Sequence, residues 1–318
     1  MRAVVRRQYG ETDVLRVEEL DAPPLEEGRV LVRVKAAGVN MAEWHLMTGL
    51  PSIARLAFGL GRPKNPQLGE DVAGVVEEVG PSVTRFAVGD EVYGSASGSW
   101  AELVAAREKY LAPKPANVSF EEAAAVPMAG YTALQALRLL GDPERKHVVV
   151  TGAGGGVGSY LVQLASARGA RVTAVCSARK AEFVRRLGAH DVIDYAAADP
   201  TAGGIRFDAA FDFAGGIPVR RWRKALKPGG LLVLGGDENG GSVLGPLRRS
   251  VSAIFVLGLR VVTFLAKASG DDLVELGTLL ESGELRSTLA RSYPLEEAAH
   301  AVDDLRAATH PGKLVLVP

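Results

Sequence analysis

The sequence predicts an α/β chain: a doubly wound parallel sheet, preceded by a β-rich segment with the look of a small barrel. Three observations predict it. A β-branched run, Val148-Val149-Val150, leads into the turn Gly152-Ala153-Gly154-Gly155-Gly156-Val157-Gly158 and then into helical sequence. Strand-like and helical segments alternate after that turn, the pattern of a parallel sheet with crossover helices. Before it, short strands and turns succeed one another at barrel spacing. The 318 residues exceed one ordinary core and suit two domains. The first is expected over 1–120 with 267–318, and a nucleotide-binding domain over 121–266.

In the first domain a strand opens at 2–5, and residues 30–34 alternate apolar with polar. Residues 72–79 form a β-branched run closed by Gly80-Pro81. Residues 89–94 read as a turn and a strand, and 101–105 as another strand. Pro113 and Pro115 interrupt the chain, and Ser119-Phe120-Glu121-Glu122 has the form of a capping box. Helical sequence then runs from 123 to 140, broken around Pro127.

The nucleotide domain follows. Residues 148–150 give its first strand and 160–168 a helix; further strands are expected at 170–175, 191–194, 207–213 and 231–235, the last after the turn 227–230. Helices are expected at 179–187 and 219–226. A helix at 271–281 and a strand at 313–317 close the chain, the strand rejoining the first domain because the nucleotide domain needs no further strand.

Basic and acidic residues balance at 37 each, which argues against nucleic acid as a main partner. Cys176 is the single cysteine, so there is no internal disulfide and no cysteine-based zinc cluster, in keeping with a reducing cytoplasm. The start of the chain lacks the apolar core of a signal peptide. The longest apolar run, 251–266, is too short to span a bilayer and contains Arg260; it suits a buried strand at a sheet edge or a subunit interface.

A glycine-rich turn between a strand and a helix can be purely structural, or it can hold an anion, usually a pyrophosphate, on the helix N-terminus. The strict G-x-G-x-x-G spacing fails here, because Val157 follows Gly152 and Gly154 where a glycine is required. The alternation downstream favours a dinucleotide site. The second strand ends Ala174-Val175-Cys176-Ser177-Ala178-Arg179-Lys180, with no acid before Glu182. A hydroxyl and two cations suit a 2′-phosphate, hence NADPH over NADH. The plainer alternative is that Arg179 and Lys180 are solvated residues opening a helix.

Several motifs together resemble the medium-chain dehydrogenase/reductase superfamily: Ala36-Ala37-Gly38-Val39-Asn40, Leu68-Gly69-Glu70-Asp71-Val72-Ala73-Gly74, Gly89-Asp90-Glu91-Val92, Trp100-Ala101-Glu102-Leu103, the glycine turn, and Gly312-Lys313-Leu314-Val315-Leu316. Residues 124–133, Ala124-Ala125-Val126-Pro127-Met128-Ala129-Gly130-Tyr131-Thr132-Ala133, resemble the zinc-independent quinone oxidoreductase branch. The resemblance implies a GroES-like β-barrel catalytic domain, a Rossmann domain, and an active site in the cleft between them. Asn40 stands where zinc relatives carry a cysteine, and Glu70-Asp71 where they carry histidine and glutamate. No cysteine lies near Met128, so a metal-free enzyme is expected.

Without a Lewis acid, the expected acceptor is electron-poor: a quinone or an α,β-unsaturated carbonyl. An enoyl-thioester reductase and a non-enzymatic NADPH-binding partner protein are the alternatives. For catalysis the resemblance points to Asn40, which could equally be a turn residue satisfying local backbone. Trp44 and His45 follow it, with packing the competing role for Trp44 and a structural role for His45. For the cofactor it points to Tyr131, Thr132, Gly155, Gly156, Val157, Gly158, Ser177, Arg179, Lys180, Tyr195, Gly235 and Gly236, with core packing a rival role for Tyr131. Relatives pair through an edge strand near 248–267, so a homodimer is expected, with no membrane partner.

Overall fold

A computed structural model of the chain describes residues 1–235 and 258–318. Gly236 and residues 251–257 of the apolar run lie outside them. The chain divides into two compact units, Met1–Tyr131 with Lys267–Pro318, and Thr132–Ala266. The first crossing falls inside the helix Pro127–Arg138, and the return falls at Lys267.

The first unit begins with β1 (Arg2–Val5), β2 (Arg16–Glu19), β3 (Arg29–Val39), β4 (Asp71–Val79), β5 (Glu91–Ser95), β6 (Leu103–Arg107) and β7 (Leu111–Pro113). The second holds β8 (His147–Thr151), β9 (Arg171–Cys176), β10 (Asp191–Asp194), β11 (Phe207–Asp212), β12 (Leu226–Leu234) and β13 (Arg260–Thr263). The chain then returns to the first unit as β14 (Leu289–Pro294) and β15 (Lys313–Val317).

Seven strands of the first unit form one sheet in the order β14-β15-β3-β4-β5-β7, with β6 also on β3. The period-two pattern of β3 explains its place: Val30, Val32 and Val34 are buried while Arg33 and Lys35 face out. Its N-terminal half pairs with β6 and its last residues with β15, and two register shifts against β4 accommodate the turn of the strand. The sequence places a strand at 101–105. The structure starts it at Leu103, and Ala101 makes only an isolated bridge to Ala3. The capping box is present: Ser119 Oγ accepts from Glu122 N at 3.2 Å, and Glu122 Oε2 from Ser119 N at 2.9 Å. Helix Phe120–Ala124 ends before Pro127, and that proline opens the next helix, where its missing N–H costs nothing.

Among the described residues the second unit forms a six-stranded sheet, all parallel, in the order β10-β9-β8-β11-β12-β13. Val148, Val149 and Val150 are fully buried, as a central strand covered on both faces requires. From β8 the chain winds outward through β9 to β10, then resumes on the other side of β8 at β11. The strand order therefore reverses between β8 and β11, where doubly wound sheets bind ligands beyond the carboxyl ends of their strands. Sequence reasoning starts the first helix at 160; it begins at Gly156, with Gly155 as its N-cap. Low glycine propensity concealed that first turn. A side chain at Gly158 would lie 2.3 Å from the carbonyl oxygen of Gly152, so the helix can pack this close to the turn only with glycine there. β12 is longer than the expected 231–235 because the 227–230 stretch joins it, at a register skip against β11. β13 is the edge strand, half-exposed rather than buried. Among the described residues no helix is long and apolar enough to cross a membrane.

Candidate functional site

The candidate residues fall into two sets, one in each unit. In the second unit, β8 delivers Thr151 to the turn, and helix Gly156–Ala167 starts with no side chain capping it. Its first amides, those of Gly156, Val157 and Gly158, stand at the positive end of a 12-residue helix. Gly155, Gly156 and Val157 are half-exposed. An uncapped helix start lined by glycine matches a pyrophosphate in charge and in the room it leaves.

The residues after β9 come next. Ser177 precedes a short 3-10 turn, Ala178–Lys180, in which Arg179 is exposed and Lys180 is buried. The aliphatic stem of Lys180 runs across the glycine turn: a side chain on Gly154 would meet its Cδ at 2.6 Å. Lys180 is therefore not a solvated helix opener, and no acid precedes Glu182. Tyr195 follows β10, is 65% exposed, and donates its backbone N–H to the Cys176 carbonyl at 3.3 Å, beside the end of β9. Gly235 follows β12, and the Phe213 ring sits where its side chain would be, 2.4 Å away. Thr132 is half-buried in helix Pro127–Arg138.

In the first unit, Asn40 is the N-cap of helix Met41–Thr48, and its backbone N–H donates to Glu43 Oε2 at 2.8 Å. Its side chain faces inward. Nδ2 donates to Asp71 Oδ2 at 3.0 Å, and Oδ1 accepts from the Lys313 ammonium. Lys313 also donates to Val39 O at 3.0 Å and lies 3.5 Å from Asp71 Oδ2. The second oxygen of Asp71 accepts from Met128 N at 2.8 Å. Glu43, Asp71 and Lys313 are all buried, so this is an interior network and not a surface ion pair.

Its electrostatics follow from burial. Glu43 is pushed up to about 8, by burial first and then by the Asp71 charge, against the pull of Lys313. Glu70 rises to about 7 for the same two reasons, with Ser97 opposing. Burial also raises Asp71, against Lys313 and Asn40. The Tyr131 phenol, buried in this unit, is raised by burial and then by Asp71, which keeps it a neutral hydroxyl.

The other two catalytic candidates have local duties. His45 Nδ1 lies 2.9 Å from Leu50 O. Trp44 is buried, stacks under the Arg306 guanidinium at 4.0 Å, and meets the His45 ring edge-on at 4.9 Å. The structure thus brings Asn40 together with Glu43, Asp71 and Lys313, a set that sequence reasoning missed. Lys313 lies 242 residues from Asp71, so no local pattern joins them. A lysine in an otherwise apolar closing strand was the one available signal. Among the described residues, no group of three or more His, Cys, Asp or Glu could hold a metal ion.

Comparison with known proteins gives consistent matches. Residues 26–116 match the alcohol dehydrogenase GroES-like domain family, and residues 187–316 the zinc-binding dehydrogenase family. The chain is 32% identical to a chloroplast envelope quinone oxidoreductase homolog of Arabidopsis thaliana, over 94% of this chain and 93% of that one. It is 33% identical to an NADPH-dependent alkenal/one oxidoreductase of the same plant, over 100% of this chain and 80% of that one. Among solved structures, Escherichia coli quinone oxidoreductase complexed with NADPH superposes with a TM-score of 0.86 at 26% identity, with each chain covered completely (100%).

Proposed function

The chain belongs to the medium-chain dehydrogenase/reductase superfamily, in its quinone oxidoreductase-like branch, and on that premise we propose that it is an NADPH-dependent oxidoreductase transferring hydride to a quinone or an α,β-unsaturated carbonyl. The observation that carries the cofactor choice is the course of Lys180. Lys180 follows β9, where an NAD enzyme would place an acid, and its stem crosses the glycine turn that follows β8.

When bound, the cofactor supplies a hydride from C4 of its nicotinamide. The chain supplies the rest. The uncapped amides of helix Gly156–Ala167 hold the pyrophosphate, and Lys180, Ser177 and Arg179 make charge-assisted bonds to the 2′-phosphate. Tyr195 flanks the adenosine, and Gly235 serves the nicotinamide end. Asn40 spends its amide on Asp71, Glu43 and Lys313, so in this reading it fixes the start of helix Met41–Thr48 beside the acceptor and does not itself bond the acceptor oxygen.

The donor chemistry supports zinc-independence. Asp71 has its oxygens taken by Met128, Asn40 and Lys313, and Asn40 is a poor zinc ligand. The proposal includes a homodimer paired through the β13 edge, and a reducing cytoplasmic setting for the buried thiol of Cys176. Light scattering after gel filtration should give twice the chain mass.

The activity is tested by steady-state turnover of NADPH and NADH with a 1,4-quinone, a 2-alkenal and a crotonyl thioester. Turnover of the first two with NADPH preferred is expected. Preference for the thioester would make the chain an enoyl reductase. Tight NADPH binding without turnover of any acceptor would overturn the enzyme reading.

A further inference from the structure

Resting on the dinucleotide reading above, we propose that Asp212 and Thr151 are positioning residues: they set the path of the loop 213–216, which shapes the nicotinamide half of the cofactor site. Thr151 ends β8 and Asp212 ends β11; the two are paired in register and flank the point where strand order reverses. Both are buried.

The bonds are directional. The Thr151 hydroxyl donates to Asp212 Oδ1 at 2.6 Å and accepts from Ala214 N at 3.2 Å. A hydroxyl has one proton, so committing it to the carboxyl turns the lone pairs toward the Ala214 amide. Asp212 Oδ1 also accepts from Gly215 N at 3.2 Å. Two successive loop amides are thereby gathered onto one carboxyl–hydroxyl pair. The other carboxyl oxygen, Oδ2, accepts from the buried Trp222 indole at 3.0 Å, which ties the carboxyl to helix Val219–Ala225.

The loop so held touches both neighbouring strand ends. Ala214 Cβ lies 3.5 Å from where a side chain on Gly152 would be, and the Phe213 ring lies over Gly235. The adenosine half is assigned to the β9 side through Ser177 and Lys180. The ends of β11 and β12, across the reversal point, therefore serve the other half. A carboxyl with packing duties alone would need only its Trp222 bond, whereas Oδ1 joins the Thr151 hydroxyl to the loop amide of Gly215.

The test measures Kd by calorimetry on the full chain with two probes, NADPH and 2′,5′-ADP, which carries only the adenosine half. The variants are Thr151→Val, Asp212→Asn and Trp222→Phe. Thr151→Val should weaken NADPH tenfold or more while 2′,5′-ADP stays within twofold. Asp212→Asn, whose one carbonyl oxygen can still accept from Thr151 and Gly215, should weaken NADPH by less, again with 2′,5′-ADP within twofold. Trp222→Phe should lower Tm yet leave both affinities within twofold. Thr151→Val carries the test if Asp212→Asn does not fold. Equal weakening of both probes, unchanged NADPH affinity in Thr151→Val, or a loss in Trp222→Phe matching that in Thr151→Val would overturn the positioning role alone. Wild-type protein that binds neither NADPH nor NADH would remove the dinucleotide reading, and this proposal with it.

Discussion

Replacing Glu43 by glutamine should abolish a large pH dependence of stability. Glu43 is fully buried, and its carboxyl titrates near about 8 in the folded chain against an ordinary value of 4.5. Below pH 4.5 the group is neutral in both states, and the stability linked to its proton is fully present. As pH rises toward 8, the unfolded chain releases that proton and the folded chain keeps it. Unfolding is thereby favoured by ~1.4 kcal/mol for each pH unit. Across the window from 4.5 to about 8 the wild type loses about 5 kcal/mol, a large share of the stability of an ordinary domain. Glutamine keeps an acceptor for Asn40 N and carries no proton to lose. The stability difference between Glu43→Gln and wild type should therefore climb steadily from pH 5 to 8 and flatten beyond. Urea unfolding at half-unit pH steps reads it, with Trp44 and Trp100 as fluorescence reporters in the same unit. A difference that stays constant over that range would refute the burial argument for Glu43.

Lys180→Ala should raise KM for NADPH about tenfold and leave NADH unchanged, the loss expected for one charge-assisted phosphate contact. Gly154→Ala should act in the same direction by pushing the Lys180 stem off the turn, with little change in Tm; equal effects on both coenzymes would count against the phosphate role. Lys313→Met should destabilise by about 3–5 kcal/mol, because it strands a buried carboxyl, and adding Asp71→Asn should recover part of that loss in urea midpoints. Elemental analysis should find no stoichiometric zinc, and chelators should leave turnover intact.

The sheet of the second unit was legible because its strands are short, apolar and separated by turn residues. Residues 148–150 show how well a buried β-branched run announces itself. The helix start was misplaced because a close approach between Gly158 and the Gly152 carbonyl, invisible to propensity, decides it. Strand β12 was cut short because a Pro-Gly-Gly stretch normally signals a turn, yet here it continues the strand. The polar network was illegible for a different reason. Asn40, Asp71 and Lys313 meet only when β3, β4 and β15 align, and Lys313 reads locally as one polar residue in an apolar strand.

The insertion of β15 between β14 and β3 has a consequence for biosynthesis. Residues 313–317 leave the ribosome only after the whole of the second unit, so β3 waits through some 270 residues of translation for its neighbour. Until then Asp71 lacks its ammonium. The nucleotide-binding unit, whose strands are all contiguous within 147–263, can fold on the emerging chain first. A nascent chain stalled before Lys313 should then resist protease in its second unit while its first unit remains open to digestion.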